Sequence, residues 1–410
     1  MKLPRAPLFL IERLVSQGGG LLFTAILVRS AGVGEAASFF AAYAFAAIFQ
    51  PILSSAVQPI AARYWRTGGL VAVIRIWAVM QGVAICTIGP LIRLADGQVA
   101  AFILLHAALA PGLLMATPLA AEDRHRTLVM ILIASALLGT AMRIGVYLAT
   151  GALVVAVMFF AFEPVAGGIA LLLAARRLTP TGAETPLATS FLREAAIMAA
   201  AMGVTTIFWR SPVLLADAFL GAEDIVSLAL AMQIVMGLCL PANALCQSLF
   251  GPLARGDRSA PGVALWIAAI AGFGAPLLLV VAGEPIMIAL YGPSGLSAVS
   301  YAMALSPMAG MAALWRLSHI MGGLKGLSIE LALTRSAALL GQLALLMWLL
   351  IAPSAGVIAI LTPVSLILAA IIAPLFTSGL AALARDAVLS ARQVAFQTAA
   401  RRHAIRLMFS

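Results

Sequence analysis

Charged residues are scarce in this chain. Lys, Arg, Asp and Glu make up 10% of its 410 residues and 63% are hydrophobic, where a soluble domain carries roughly a quarter charged. A mean hydropathy of +1.09 leaves no room for a sizeable water-soluble domain. Cysteine is nearly missing. Cys86, Cys239 and Cys246 each sit in an apolar stretch, which excludes a disulfide framework and a Cys-rich metal centre. The four histidines are scattered without metal-ligand spacing. No Gly-x-x-x-x-Gly-Lys-[Ser/Thr] stretch occurs, and Gly322-Gly323-Leu324-Lys325-Gly326 lacks the spacing, so the chain carries no ATP site of its own. Dyad alternation is also missing from the apolar segments, which excludes a β-barrel.

What is present is a series of long apolar runs, the mark of an all-α polytopic membrane protein. A bilayer span takes about 20 apolar residues, and the runs predict twelve helices. They cover approximately 7–29, 36–62, 69–92, 98–120, 127–149, 152–175, 190–215, 225–251, 262–283, 297–320, 328–351 and 355–381. Placing the N-terminus in the cytoplasm puts Lys2, Arg5, Arg63, Arg66, Arg124, Arg126, Arg176, Arg177, Arg255, Arg258, Lys325 and the basic tail inside. The outside then receives Arg29 and Arg93 beside Glu35, Asp96, Asp217, Glu223, Asp224 and Glu284. This inside-positive bias predicts N-in, C-in topology, and it accounts for the net charge of +10 without nucleic acid. The N-terminus does not read as a cleaved signal, because Glu12 and Arg13 interrupt the apolar run.

The longest polar connection, 176–189, separates six helices from six. It predicts an N-lobe over 1–175, a cytoplasmic linker over 176–189, a C-lobe over 190–382 and a basic cytoplasmic tail over 383–410. The tail mixes arginines with Val388, Leu389, Val394 and Phe396, a pattern for a helix on the anionic leaflet or for a solvated tail. Offsetting the chain so that Gly32 meets Gly221 also brings Glu35 onto Asp224, Ser38 onto Ser227, Gln58 onto Gln247 and Arg66 onto Arg255. Pro51 and Pro241 fall one residue out of register. The matches are mostly polar and suggest a duplicated unit with parallel topology.

Five arginines fall within predicted helices: Arg13, Arg75, Arg143, Arg210 and Arg335. An ionised side chain at mid-bilayer costs at least about 2.5–3.5 kcal/mol, so such residues face the protein interior or snorkel to the headgroups. Arg75 and Arg335 lie near helix ends and fit either description. Arg143 and Arg210 sit deeper and favour a cavity. A row of interior cations reads as a path for an anionic substrate. Glu163 lies at a depth from which it can pair with Arg143, or it can act as a protonatable coupling site. Asp217 shares a helical face with Arg210, and Glu12 neighbours Arg13.

Helix one continues from Glu12-Arg13 through Ser16 and Gln17 to Gly18-Gly19-Gly20, a run that suits close packing or a hinge. Helix two carries Gln50-Pro51, Ser54-Ser55 and Gln58-Pro59; helix eight carries Pro241, Asn243 and Gln247. Mid-helix prolines beside amide side chains mark a lined cavity. His106, alone in helix four, reads as a satisfied polar contact.

The opening of the chain resembles a known family. Glu12-Arg13, the glycine-rich helix, Val28-Arg29-Ser30-Ala31-Gly32-Val33-Gly34-Glu35 and the aromatic run Ser38-Phe39-Phe40-Ala41-Ala42-Tyr43-Ala44-Phe45 are similar to the start of the O-antigen-type polysaccharide flippases. These belong to the multidrug/oligosaccharidyl-lipid/polysaccharide exporter superfamily. Ala31 and Ala37-Ser38 stand where that family often has leucine and glycine. The resemblance implies two six-helix lobes around a cavity with alternating access. It also implies a non-enzymatic flippase for polyprenyl-pyrophosphate-linked oligosaccharide in the bacterial inner membrane. Its partners would be membrane lipid, the anionic glycan, and polymerase and assembly proteins of polysaccharide (lipopolysaccharide) biosynthesis. No cofactor is expected, and a proton or sodium gradient stays open as the drive. On this reading Arg13, Arg75, Arg143, Arg210 and Arg335 line the route, and Gln17, Gln50, Gln58, Asn243 and Gln247 contact sugar hydroxyls.

Other readings differ in class. A drug or cation antiporter would want more interior acids than arginines. A lipid II flippase usually has fourteen helices. A membrane-embedded polymerase or ligase would want a long outward loop with catalytic residues, and the longest such connection, 284–296, offers Glu284 as its one charge. A non-transporting assembly subunit is the remaining alternative.

Overall fold

The computed structural model describes residues 6–122, 124–178, 189–248, 260–312 and 354–376, together with Val388. Among these residues the chain is helical with no strand, and nine helices are long and apolar enough to cross a membrane. The chain is a multi-pass membrane protein. Its first half comprises α1 (Ala6–Ser30), α2 (Val33–Ala46), α3 (Phe49–Leu53), α4 (Gln58–Leu94), α5 (Gln98–Ala108), α6 (Thr117–Ala121), α7 (His125–Thr150), α8 (Leu153–Met158) and α9 (Phe162–Ala175). The second half comprises α10 (Thr189–Phe219), α11 (Ala222–Ser248), α12 (Ala260–Tyr291), α13 (Ser297–Leu305) and α14 (Ala355–Phe376). The expected span over 328–351, the linker over 179–188 and the tail apart from Val388 lie outside the described residues.

Several spans are broken where proline removes a backbone donor. The second span runs α2, α3 and the start of α4, with turns on either side of Gln50-Pro51. The Ser54 hydroxyl donates to the Gln50 carbonyl at 2.7 Å and supports that break. The fourth span, expected as one helix, is α5, a 3-10 turn over Ala110–Ala116 and α6, with Pro111 and Pro118 at the starts of the last two. The sixth span divides into α8 and α9. Pro164 has no N–H for the Phe160 carbonyl four residues earlier, and His106 Nδ1 donates to that carbonyl at 2.7 Å instead. The carbonyl can only accept, so Nδ1 carries the proton. Pro241, by contrast, sits inside an unbroken α11.

Close helix approach comes from glycines. A Cβ on Gly19 of α1 would collide with the Thr140 side chain of α7, whereas Gly18 and Gly20 face open space. Gly139 of α7 lies against Glu163 of α9, Gly167 of α9 against Ser135, and Gly112 against Gly168. In the second half Gly272 of α12 meets Gly310 backbone to backbone. Among the described spans α11 is the most enclosed, with 72% of its apolar window buried, so it sits within the bundle rather than forming a lipid-facing wall.

The two halves share a local unit. The Gly32 carbonyl accepts the N–H groups of Glu35 and Ala36, both at 3.1 Å. The Gly221 carbonyl accepts those of Asp224 and Ile225 at the same distance. Just before each, Ala31 N–H reaches Leu27 and Leu220 N–H reaches Ala216, both at 2.8 Å. The matched residues thus occupy matched helix starts, each with an acid in its first turn, where the helix dipole favours negative charge.

Candidate functional site

Between α1, α7 and α9 the bundle encloses a charged centre. Arg143 on α7 is 4% exposed. Its Nε donates to the Gly139 carbonyl at 3.2 Å and its Nη2 to Thr140 Oγ1 at 3.0 Å. Nη2 also lies 3.6 Å from Glu163 Oε2, and the guanidinium rests 4.3 Å from the Phe160 ring centroid. Packing explains why both charged groups sit here: Gly139 gives α9 room to bring Glu163 alongside, one turn from Arg143. Removing Glu163 would strand the buried Arg143, whereas Glu163, 28% exposed, keeps partial access to solvent.

α1 carries a second ion pair. Glu12 is buried and pairs with Arg13 at 3.4 Å, whose side chain stays 43% exposed. Among the described residues the first half thus holds two arginine–carboxylate pairs, one within α1 and one between α7 and α9.

Aromatic rings connect this centre to the second half. Phe23 makes edge contacts with Phe39, Tyr147 and Phe160. Tyr43 stacks on Phe39 with centroids 5.9 Å apart and tilts against Phe160 at 6.2 Å. Arg210 of α10 lies over the Tyr43 ring at 5.4 Å. Arg143 and Arg210, one from each half, thus each lie over one ring of the Phe160–Tyr43 pair. No Arg210–Asp217 bridge forms among the described residues, and Asp217 is exposed.

The remaining candidates are dispersed. Arg75 is exposed on the face of α4 that carries Val71, Ile74 and Val79, away from the charged centre. Gln17, Gln50, Gln58 and Asn243 are half-buried on α1, α3, α4 and α11. The Gln247 side chain and all of Arg335 lie outside the described residues. Sequence reasoning missed Phe160, Tyr43 and Thr140, whose role depends on neighbours brought in by the fold. The aromatic run at 39–45 is a signal for Tyr43, and Phe160 and Thr140 have none.

The halves meet at two levels. Near the Arg29 end, Thr24 and Tyr291 both donate to Gln233 Oε1, and Arg29 Nη2 donates to the Ile288 carbonyl at 3.2 Å. Towards the opposite end, Ile52 packs on Gly203 and Tyr64 makes an edge contact with Phe191 at 5.6 Å.

No protein-family model matches the sequence, and no curated protein matches it. Solved structures do share its fold. A MATE in the bent conformation aligns with a TM-score of 0.63 at 15% identity, over 95% of this chain and 99% of that one. The lipid II flippase MurJ in an inward closed conformation aligns with a TM-score of 0.66 at 14% identity, over 93% and 90%. An outward-facing multidrug resistance MATE family transporter of the MOP superfamily aligns with a TM-score of 0.64 at 16% identity, over 93% and 95%. The chain therefore has the MATE-like fold, common to drug-resistance transporters and a lipid flippase of that superfamily.

Proposed function

We propose that this chain is a transporter that moves a polyprenyl-pyrophosphate-linked oligosaccharide across the cytoplasmic membrane for cell-surface polysaccharide synthesis. It would do so as two six-helix lobes with N-in, C-in topology. The observation that carries the reading is the pair Arg143, buried, and Arg210, half-buried, each over one of the two neighbouring rings Phe160 and Tyr43. Arg210 leans on an aromatic face, an interaction worth roughly 0.5–2 kcal/mol. A phosphate offers it a stronger, two-pronged partner. The polyprenyl tail stays in lipid while the head group crosses, and no catalytic step is required.

A second reading draws on the first-half carboxylates Glu12 and Glu163, which pair with Arg13 and Arg143 and would have to release them for a cation. It makes the chain a cation-coupled drug antiporter of the same fold.

Flipping in liposomes separates the two. Purified protein is reconstituted with a labelled polyprenyl-pyrophosphate saccharide, beside Arg210→Ala and Arg143→Ala. Transfer by the wild type that Arg210→Ala abolishes, with folding intact, supports the lipid-linked glycan. Transfer unaffected by either substitution removes the site assignment. No transfer of saccharide, with export of a cationic dye, puts the antiporter first.

A further inference from the structure

The outward face of α12 is a measure of the bilayer. Trp266, Ile270, Phe273, Leu277, Val280 and Val281 form an exposed stripe at helical spacing, with Phe273 83% and Val281 75% exposed. The stripe passes Glu284 and continues to Ile288, 45% exposed. From Trp266 to Ile288 the helix rises about 33 Å, close to the roughly 30 Å hydrocarbon core. Trp266 and Ile288 therefore stand near opposite interfaces, and Glu284 lies one turn inside the second, within reach of the headgroups.

Glu284 does not stand on a flat wall. It lines a groove of about 230 Å³ with Leu279, Val280, Val281, Pro285, Val299 and Met303. The groove follows the seam where Gly283 lets α12 approach Val299 at the start of α13. Its walls are apolar, it opens on the face the bilayer covers, and no ion pair to Glu284 forms among the described residues. We infer that this groove holds a phospholipid with a primary ammonium headgroup, its ammonium on Glu284 and an acyl chain along the α12–α13 seam. The charge selects the ligand. An anionic headgroup is repelled, a choline headgroup brings charge but no N–H donor, and an ethanolamine headgroup supplies both at the depth where Glu284 sits. The assignment is independent of what the protein transports.

Native mass spectrometry of the purified full-length chain tests it, with phosphatidylethanolamine, phosphatidylcholine and phosphatidylglycerol offered in competition. The wild type is expected to retain the ethanolamine lipid about tenfold over the other two. Glu284→Gln should bring ethanolamine and choline lipids to near parity, and Met303→Trp, which fills the groove, should lower retention of all three. A wild type that retains the three equally or prefers the glycerol lipid overturns the assignment. So does an ethanolamine preference that survives Glu284→Gln. The wild-type result alone decides if a variant fails to fold.

Discussion

The Thr24 hydroxyl of α1 donates to Gln233 Oε1 of α11 at 2.8 Å, and this bond joins the two halves of the chain. The same oxygen accepts from Tyr291 of α12 at 3.1 Å. Thr24 has alternatives, since its hydroxyl also reaches the Gly20 and Leu21 carbonyls within its own helix. Tyr291 is 1% exposed, and Gln233 is the acceptor that its hydroxyl shares with the neighbouring Thr24. Gln233→Leu should therefore cost about 1–3 kcal/mol, the penalty of a stranded buried hydroxyl. Thr24→Val should cost less. Adding Tyr291→Phe to Gln233→Leu should recover part of the loss, as thermal unfolding in detergent would report. Equal costs for all three changes would contradict this asymmetry.

Arg143 is the most consequential single charge in the first half. Arg143→Ala leaves Glu163, whose side chain is 28% exposed, without its cation and should destabilise by about 1–3 kcal/mol. The double change Arg143→Met with Glu163→Gln keeps volume and removes both charges, so it should be milder than Arg143→Ala alone. Chemical unfolding of the reconstituted protein orders the variants. A double variant as unstable as Arg143→Ala would show that Phe160 and Thr140, not Glu163, hold the arginine's place.

The triple glycine of α1 divides sharply by position. Gly18→Ala and Gly20→Ala meet open space and should gain up to about 1 kcal/mol from helix propensity. Gly19→Ala drives a methyl into Thr140 and should lose about 1–3 kcal/mol. Thr140→Ala in the Gly19→Ala background should return some of that loss. Uniform effects at the three positions would mean that α1 does not pack on α7 through Gly19.

The His106–Phe160 bond compensates for Pro164, and a double-mutant cycle isolates it. His106→Leu should cost about 1–3 kcal/mol, since it strands the Phe160 carbonyl. In a Pro164→Ala background the helix supplies its own N–H, and the same change should cost markedly less. Additive costs in the melting temperatures would sink the compensation argument.

Much of this architecture is legible in the sequence, and the failures have physical causes. Nine of the apolar runs reappear as candidate spans among the described residues, seven of them within a few residues, because the bilayer dictates length and hydropathy directly; the second ends at Leu53 instead of 62 and the ninth continues to Gly295 instead of 283. The third span begins at Gly69 as expected, and the Gly151 break is a left-handed cap with φ 65° that closes α7 on the Tyr147 carbonyl. The breaks of the fourth and sixth spans escape a hydropathy window, which is blind to a missing N–H; Pro111, Pro118 and Pro164 were the available signs. The nearness of Arg143 and Glu163 follows from depth on adjacent helices. The exposure of Arg75 does not, because depth says nothing of which face a residue takes. Arg210 is legible as an interior cation, yet its seat on Tyr43 is tertiary and has no trace in local pattern.

α4 continues from the second span into the third through one non-helical residue, Gly69, at φ 59° and ψ −152°. That region is essentially reserved for glycine. The joint between two membrane crossings therefore consists of two dihedral angles, with no slack chain to absorb motion. Any tilt of the second crossing at its Gly69 end is delivered to the third as torque about a single α-carbon, in the manner of a crankshaft. A side chain at that pivot would seize it.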